Sequence, residues 1–226
     1  MMKKILAVAL TVVAGLGVQA DTVNYTNSIP NTTLTDWNNT LNLTKFNPSL
    51  GTLNSINISL SSALSTDLSV TNNGASRITG SAYTDLQIFV DNPGTYDLFG
   101  LGGTNSPALT LNTPSFSFVL LGVTGYGTNS TTLSSGLVST SSGDITDSST
   151  LTLFTGTGSV GLPTFSYTQV GTLSHGNFSA TQISKGGLEA VVTYDYTVPV
   201  PEPTTFAMIG AGLAGLGLVW RRRSAN

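Results

Sequence analysis

The segment Glu189–Val198 reads EAVVTYDYTV and places its apolar side chains at every second position. These side chains belong to Ala190, Val192, Tyr194, Tyr196 and Val198. A period of two residues puts them on one face of a β-strand, while the residues between them lie on the opposite face. The segment therefore predicts a half-buried strand, with one face on a core and the other in water.

The same alternation recurs in three earlier segments, which read SINISLS, DLQIFV and SFSFVL. Their apolar positions are Ile56, Ile58, Leu60, Leu86, Ile88, Val90, Phe116, Phe118 and Leu120. Turn-forming sequences such as Asn73-Gly74 and Ser142-Gly143-Asp144 separate the segments. No helical stripe of useful length is visible between residues 21 and 200. The pattern predicts one all-β domain over residues 21–198, an antiparallel β-sandwich or a jelly-roll-like fold.

The first twenty residues have the composition of a secretory signal peptide. Lys3 and Lys4 precede an apolar run, and small residues stand at the −3 and −1 positions before Asp21. We therefore expect residues 1–20 to be removed by cleavage between Ala20 and Asp21. A retained N-terminal anchor is the alternative, but the apolar run is short for a membrane span.

Composition excludes several classes of function. The chain has no cysteine and one histidine, His175, so thiolate metal sites, cysteine nucleophiles and multi-histidine metal centres are ruled out. Between Asp21 and Pro203, three basic residues oppose eleven carboxylates, which leaves a net charge of −8. A domain without a basic patch is not expected to bind nucleic acid.

Carboxylates are the remaining candidates for metal binding or catalysis. Asp144 with Asp147, and Asp91 with Asp97, lack the dense ligand pattern of a calcium loop, so we interpret them as turn residues. No serine-hydrolase elbow is present. A carboxylate pair that includes Glu189 or Asp195 stays open as a hydrolase hypothesis. We predict no metal, no cofactor and no catalytic residue.

The chain ends in three consecutive parts. Pro201-Glu202-Pro203 is followed by the apolar run Phe206–Trp220 and then by the basic residues Arg221, Arg222 and Arg223. The run of 15 residues makes a helix of about 22 Å, which is shorter than the ~30 Å hydrocarbon core of a bilayer. We nevertheless predict a single C-terminal transmembrane helix, with the arginines as a stop-transfer signal.

This ending, over residues 199–226, resembles the PEP-CTERM sorting signal of Gram-negative bacteria that make extracellular polysaccharide. The resemblance implies that Pro201, Glu202 and Pro203 are recognised by exosortase, a membrane-embedded processing enzyme. It also implies export across the inner membrane, transient anchoring through Phe206–Trp220, and a final place in the envelope, at the cell surface or in the extracellular matrix.

Gly210–Gly215 matches the G-x-G-x-x-G pattern of dinucleotide-binding loops. Such a loop follows a strand and needs an acidic residue about 20 residues further on, and neither condition is met here. We interpret the glycines as the small-residue face of a membrane helix. Bulky residues at Gly212 or Gly215 are expected to impair sorting, if this face docks on the processing enzyme.

The central domain carries a second resemblance. Trp37 and the segment Leu43–Leu53, which reads LTKFNPSLGTL, are similar to the start of the choice-of-anchor E domain. Leu151–Pro163 and Ala190–Pro199 resemble later segments of that family. The resemblance implies an exported domain that occurs on different surface anchors, with no implied reaction or ligand.

The sequence thus predicts a non-catalytic surface or biofilm-matrix protein that is processed by exosortase. One alternative is a carbohydrate-binding module that uses Trp37 and the tyrosines as stacking platforms, with extracellular polysaccharide as its partner. A secreted hydrolase is the third hypothesis.

Overall fold

A computed structural model describes residues 19–93, 97–101, 106–122, 127–174, 176–199 and 203–223. Ten strands and two helices make up this part of the chain. The strands are β1 (Ala20–Ile29), β2 (Asn38–Thr44), β3 (Thr52–Asn72), β4 (Ile78–Val90), β5 (Leu109–Asn112), β6 (Phe116–Leu120), β7 (Thr128–Ser141), β8 (Ser159–Ser174), β9 (Phe178–Gly186) and β10 (Leu188–Thr197). The helices are α1 (Ser148–Phe154) and α2 (Pro203–Arg223).

Sheet 1 is antiparallel and is built on the 21-residue strand β3. Its strand order is β1-β10-β3-β7, and β9 also pairs with β3. Strands β9 and β10 lie end to end along the same side of β3, against residues 64–72 and 52–61 respectively. Gly187 separates them at a point where a Cβ atom would lie 2.1 Å from the carbonyl oxygen of Ile29. Only glycine fits this close approach.

Sheet 2 is antiparallel in the order β2-β8-β4-β5, and β6 pairs with β4 beyond the end of β5. The two sheets face each other, and the alternate residues of their strands form the core between them. Most of the side chains predicted by the period-two pattern are buried there, including Ile56, Ile58, Leu86 and Ile88, each with no exposed surface. Phe116 and Val198 are partly buried at the margins of the core. The prediction of an all-β antiparallel fold is confirmed.

The core has two apolar clusters. The larger one contains Phe46, Phe154 and Tyr194, and the smaller one contains Leu68 and Phe118. Part of the space between the sheets is filled instead by hydroxyl and amide groups, which we call the polar belt; its residues are Thr66, Thr84, Thr113, Gln182 and Ser184.

The polar belt joins the two sheets by side-chain hydrogen bonds. The hydroxyl of Thr84 in β4 donates to Oε1 of Gln182 in β9 at 3.0 Å and lies 3.3 Å from the hydroxyl of Thr66 in β3. Thr66 in turn lies 2.7 Å from the hydroxyl of Ser184. Buried hydroxyls are tolerated in a core only when they are paired in this way.

Helix α1 was not predicted by the sequence, because its seven residues are too few to show a helical period. Asp147 caps it: the carboxylate accepts from the backbone N–H of Thr150 at 2.9 Å and from the Thr150 hydroxyl at 3.0 Å. The Ser149 hydroxyl also donates to this carboxylate. The hydrogen bond from Ser149, followed by those from Thr150, holds the pKa of Asp147 below its usual value.

Candidate functional site

The two ends of the β-domain lie side by side. Ala20, the first residue of β1, is opposite Thr197, the last residue of β10. One residue outward, the N–H of Val198 donates to the carbonyl oxygen of Gln19 at 3.1 Å. The tails before residue 20 and after residue 197 therefore leave the sandwich at the same end.

The predicted signal-cleavage site lies at the start of β1. Ala20 and Asp21 are its first two residues, whereas residues 1–18 lie outside the described part of the chain. The Asp21 carboxylate accepts a 3.2 Å hydrogen bond from the Tyr196 hydroxyl. A chain that begins at Asp21 would keep this contact with β10. The cleavage itself stays a prediction.

The C-terminal tail forms the helix α2. Pro201 and Glu202 lie outside the described residues, Pro203 is the first residue of the helix, and Arg221–Arg223 form its last turn. Within the described ranges, no helix is both long enough and apolar enough to cross a membrane. The predicted transmembrane helix is therefore not shown.

The glycines of α2 lie on an open surface. A Cβ atom added at Gly210, Gly212 or Gly215 would meet nothing within 4 Å among the residues described. Leu213 and Leu216 are about two-thirds exposed, at 66% and 67%. The G-x-G-x-x-G pattern thus lies inside a helix, not in a loop after a strand, which is inconsistent with a dinucleotide site.

The tail also matches a known signal. A family model described as the PEP-CTERM protein-sorting motif covers residues 199–223. The tail is a PEP-CTERM sorting motif. This motif implies recognition by exosortase, so the chain carries a signal for export and for membrane anchoring before it is processed.

Two further comparisons concern the whole chain. No curated protein matches the sequence. Among solved structures, a chain of the infectious bursal disease virus Gx strain is 15% identical, with 81% of this chain and 43% of the viral chain covered and a TM-score of 0.12. This chain thus spans less than half the length of the viral chain, and so weak a likeness carries no argument.

The segment Leu43–Leu53 builds the corner between β2 and β3. Leu43 and Phe46 are fully buried, and the Asn47 side chain accepts from the N–H of Ser49 to start a single 3-10 turn. At Gly51, a Cβ atom would lie 2.1 Å from the carbonyl oxygen of Thr197. The segment therefore has a structural role, which is to pack the corner against the end of β10.

Trp37 is not a stacking platform. Its ring is half-buried against the larger apolar cluster, and its indole N–H donates to the carbonyl oxygen of Gly186 at 3.0 Å. Tyr25, Tyr194 and Tyr196 also pack in or against that cluster. The platform predicted from Trp37 and the tyrosines is therefore wrong for these four residues, because the aromatic residues at alternating positions point into the core.

Two of the four aspartates considered for calcium have structural partners that explain them. Asp147 caps α1, and Asp144 accepts a 3.2 Å hydrogen bond from the Asn57 side chain. In the described part of the chain, no three acidic or histidine side chains come close enough to hold a metal ion. His175 lies outside that part.

Glu189 and Asp195 do not form a catalytic pair with each other. They are six residues apart on β10, which corresponds to about 20 Å along a strand. Two carboxylates that act together in glycoside hydrolysis lie about 5–10 Å apart. Glu189 instead lines a shallow cavity of about 230 Å³ on the outer face of sheet 1, together with Ser28, Asn31, Ser61 and Leu137.

A group of aromatic side chains lies on the opposite side of the sandwich; it contains two of the tyrosines predicted as platforms and two phenylalanines that sequence reasoning missed. We call this group the aromatic face; it consists of Tyr83 and Phe89 of β4 and Phe165 and Tyr167 of β8. The pattern that could have revealed it is FSYTQ at residues 165–169, where two aromatic residues alternate with polar ones. These residues occupy the positions of β4 and β8 that alternate with buried ones.

Proposed function

We propose that the chain is a non-catalytic protein of the cell surface or biofilm matrix of a Gram-negative bacterium, and that exosortase processes it. The observation that carries the proposal is the sorting motif at residues 199–223, placed directly after the last strand of a cysteine-free β-sandwich. A domain with few charges and many hydroxyl groups on its strands suits a hydrated polar matrix.

Membrane anchoring would be temporary and would use Phe206–Trp220. This run is shorter than the hydrocarbon core of a bilayer, so contacts with the processing enzyme would assist its insertion. Ile209, Leu213, Leu216 and Trp220 are more than half exposed, which is consistent with a helix made for an apolar environment. The arginines that end α2 would stay on the cytoplasmic side.

The first prediction concerns the sorting motif. Replacing Pro201, Glu202 and Pro203 with alanines should leave an unprocessed chain in the membrane fraction, because exosortase would no longer recognise it. Mass spectrometry of the mature protein and its membrane fraction in the native host measures this result.

A matched control replaces the neighbouring residues Thr204 and Thr205 with alanines and should be processed normally. The proposal is wrong if the triple-alanine variant reaches its wild-type mass and location.

The resemblance to the choice-of-anchor E domain fits this function. The residues that carry it at the start of the domain, including Phe46, Asn47 and Gly51, form a packed corner next to the strand that leads into the tail. We infer that this segment specifies the fold of the corner and the exit of the chain.

A further inference from the structure

We propose that the aromatic face of sheet 2 binds a neutral polysaccharide chain. This inference goes beyond sorting and matrix location, because it gives the β-domain a ligand and a binding surface. It keeps two of the tyrosines predicted as platforms, Tyr83 and Tyr167, and replaces Trp37 with Phe89 and Phe165.

The register of β4 and β8 places the four rings on the outside of the sandwich. Residues that alternate with them, such as Thr84, Ile88 and Ser166, are buried between the sheets, so the rings point the other way. Phe89 lies opposite Phe165, with ring centres 4.7 Å apart and planes 4° from parallel. These rings form one end of the aromatic face.

Tyr83 forms the other end, and a glycine sets its position. Tyr83 lies opposite Gly171, where a Cβ atom would come within 2.2 Å of Cζ of the tyrosine ring. The ring therefore lies across the bare backbone of Gly171, close to the sheet. Tyr83 and Phe89 are six residues apart, so the aromatic face is about 20 Å long. This length suits a chain of several linked sugars and exceeds what a single sugar needs.

Polar groups lie between the two aromatic ends. The Asp85 carboxylate accepts a 3.2 Å hydrogen bond from the Gln169 side chain through Oδ2, whereas its Oδ1 is covered and has no hydrogen-bond partner among the described residues. Gln87 lies opposite Tyr167, which is 53% exposed. Carboxylate and amide groups together accept from and donate to the hydroxyl groups of a sugar.

The charged residues on the strands of sheet 2 indicate which class of polysaccharide would bind. The five strands of sheet 2 contain no lysine or arginine and a single carboxylate, that of Asp85. A sulfated, phosphorylated or uronate polymer would find no cation on these strands and would be repelled by Asp85. Apolar ring faces with neutral hydrogen-bonding groups instead fit neutral pyranose sugars, which have apolar faces and hydroxyl edges.

The outer face of sheet 1 has a different side-chain composition and supplies a control residue for the binding experiment. Its outward positions on β3 and β7 are mostly serine and threonine, and no aromatic side chain of the described strands points outward there. Ile183 lies on this face, opposite Asp67, and is 61% exposed. It matches Tyr167 in exposure but lies on the other side of the sandwich.

The experiment is affinity electrophoresis of the full chain in mild detergent. The gels contain hydroxyethyl cellulose, dextran or galactomannan as neutral polymers, or alginate as an anionic one. We expect at least one neutral polymer, and not alginate, to retard the protein. Tyr167→Ala should weaken the retardation roughly tenfold, through the loss of one stacking ring. Ile183→Ala should leave it unchanged.

Tyr83→Ala provides a second test, with thermal unfolding as a check that the sheet still folds. The proposal is overturned if none of the neutral polymers retards the protein, if alginate retards it equally, or if Tyr167→Ala and Ile183→Ala behave alike. Each of these outcomes leaves the sorting proposal intact, because the processing of the tail is measured separately.

Discussion

At the scale of single residues, Tyr194 joins the two sheets. Its hydroxyl donates a 2.6 Å hydrogen bond to the carbonyl oxygen of Thr44, so a side chain of β10 in sheet 1 holds the end of β2 in sheet 2. The ring has no exposed surface and packs near Phe46 and Phe154. Burial, with a smaller contribution from Tyr25, raises the pKa of the Tyr194 phenol above its ordinary value.

Tyr194→Phe should lower the free energy of unfolding by about 1–3 kcal/mol, because the carbonyl of Thr44 loses its donor. Since the folded state holds the phenol proton more tightly than the unfolded state, this residue stabilises the fold below pH ~10 and loses that effect as the pH rises further. Urea unfolding at pH 7 and at pH 11 measures both effects.

Tyr167→Phe is the control for this change, because Tyr167 is exposed on the outside of sheet 2. This variant should change the free energy of unfolding little at pH 7. Equal losses in the two variants would contradict the role given to Tyr194.

At this scale the sequence predicted which residues are buried better than it predicted what they do. The alternation around Tyr194 placed it in the core correctly, because burial follows from strand period alone. The partner of its hydroxyl lies 150 residues away in the chain, and no local pattern predicts such a contact. The same limit applies to Trp37, because the acceptor of its indole N–H, the carbonyl oxygen of Gly186, is also distant in the sequence.

At the scale of elements, α1 shows how a short helix depends on its cap. Asp147 is the N-cap residue, and its carboxylate accepts hydrogen bonds from Ser149 and Thr150. The sequence predicted that Asp147 is a turn residue. It did not predict the helix that follows this residue. Patterns of period two cannot show an element of seven residues.

Asp147→Ala should lower the melting temperature at pH 7, because the first turn of α1 loses its acceptor. Asp147→Asn should retain most of the stability, since an amide oxygen also caps a helix. The lowered pKa of Asp147 means that the carboxylate stabilises the fold above pH ~3.9 and that this effect disappears as the pH falls through the folded-state pKa.

Thermal unfolding between pH 2 and pH 7 measures this prediction. The gap between the wild-type protein and Asp147→Asn should close toward low pH, whereas Asp147→Ala should stay the least stable of the three. A gap that is independent of pH would contradict the assignment of a charged cap.

At the scale of the whole molecule, the polar belt connects the two sheets in the region between the two apolar clusters. The clusters around Phe46 and around Phe118 lie toward different ends of the long strands β3 and β4. Sequence patterns predicted two faces for each strand but not a core that is partly polar, because buried threonines look like exposed ones in a sequence.

Thr84→Val should cost about 1–3 kcal/mol of unfolding free energy, because Gln182 loses a buried donor while the side-chain volume is kept. Thr110→Val on β5, where the side chain is exposed, is the matched control and should change little. Urea denaturation of both variants gives the comparison. If Thr84→Val leaves the free energy of unfolding unchanged, the polar belt does not hold the sheets together.

The pairing of Ala20 with Thr197 has a consequence for how the domain tolerates rearrangement. Neighbouring ends can be joined by a short linker, and the chain can then be opened at a surface turn such as the one at Gly143, as in a circular permutation. Because Ala20 and Thr197 lie at one end of the sandwich, attachment through either of them would place that same end next to the membrane. The aromatic face runs along the side of the molecule, so it would keep the same orientation to the surrounding matrix whichever end is tethered.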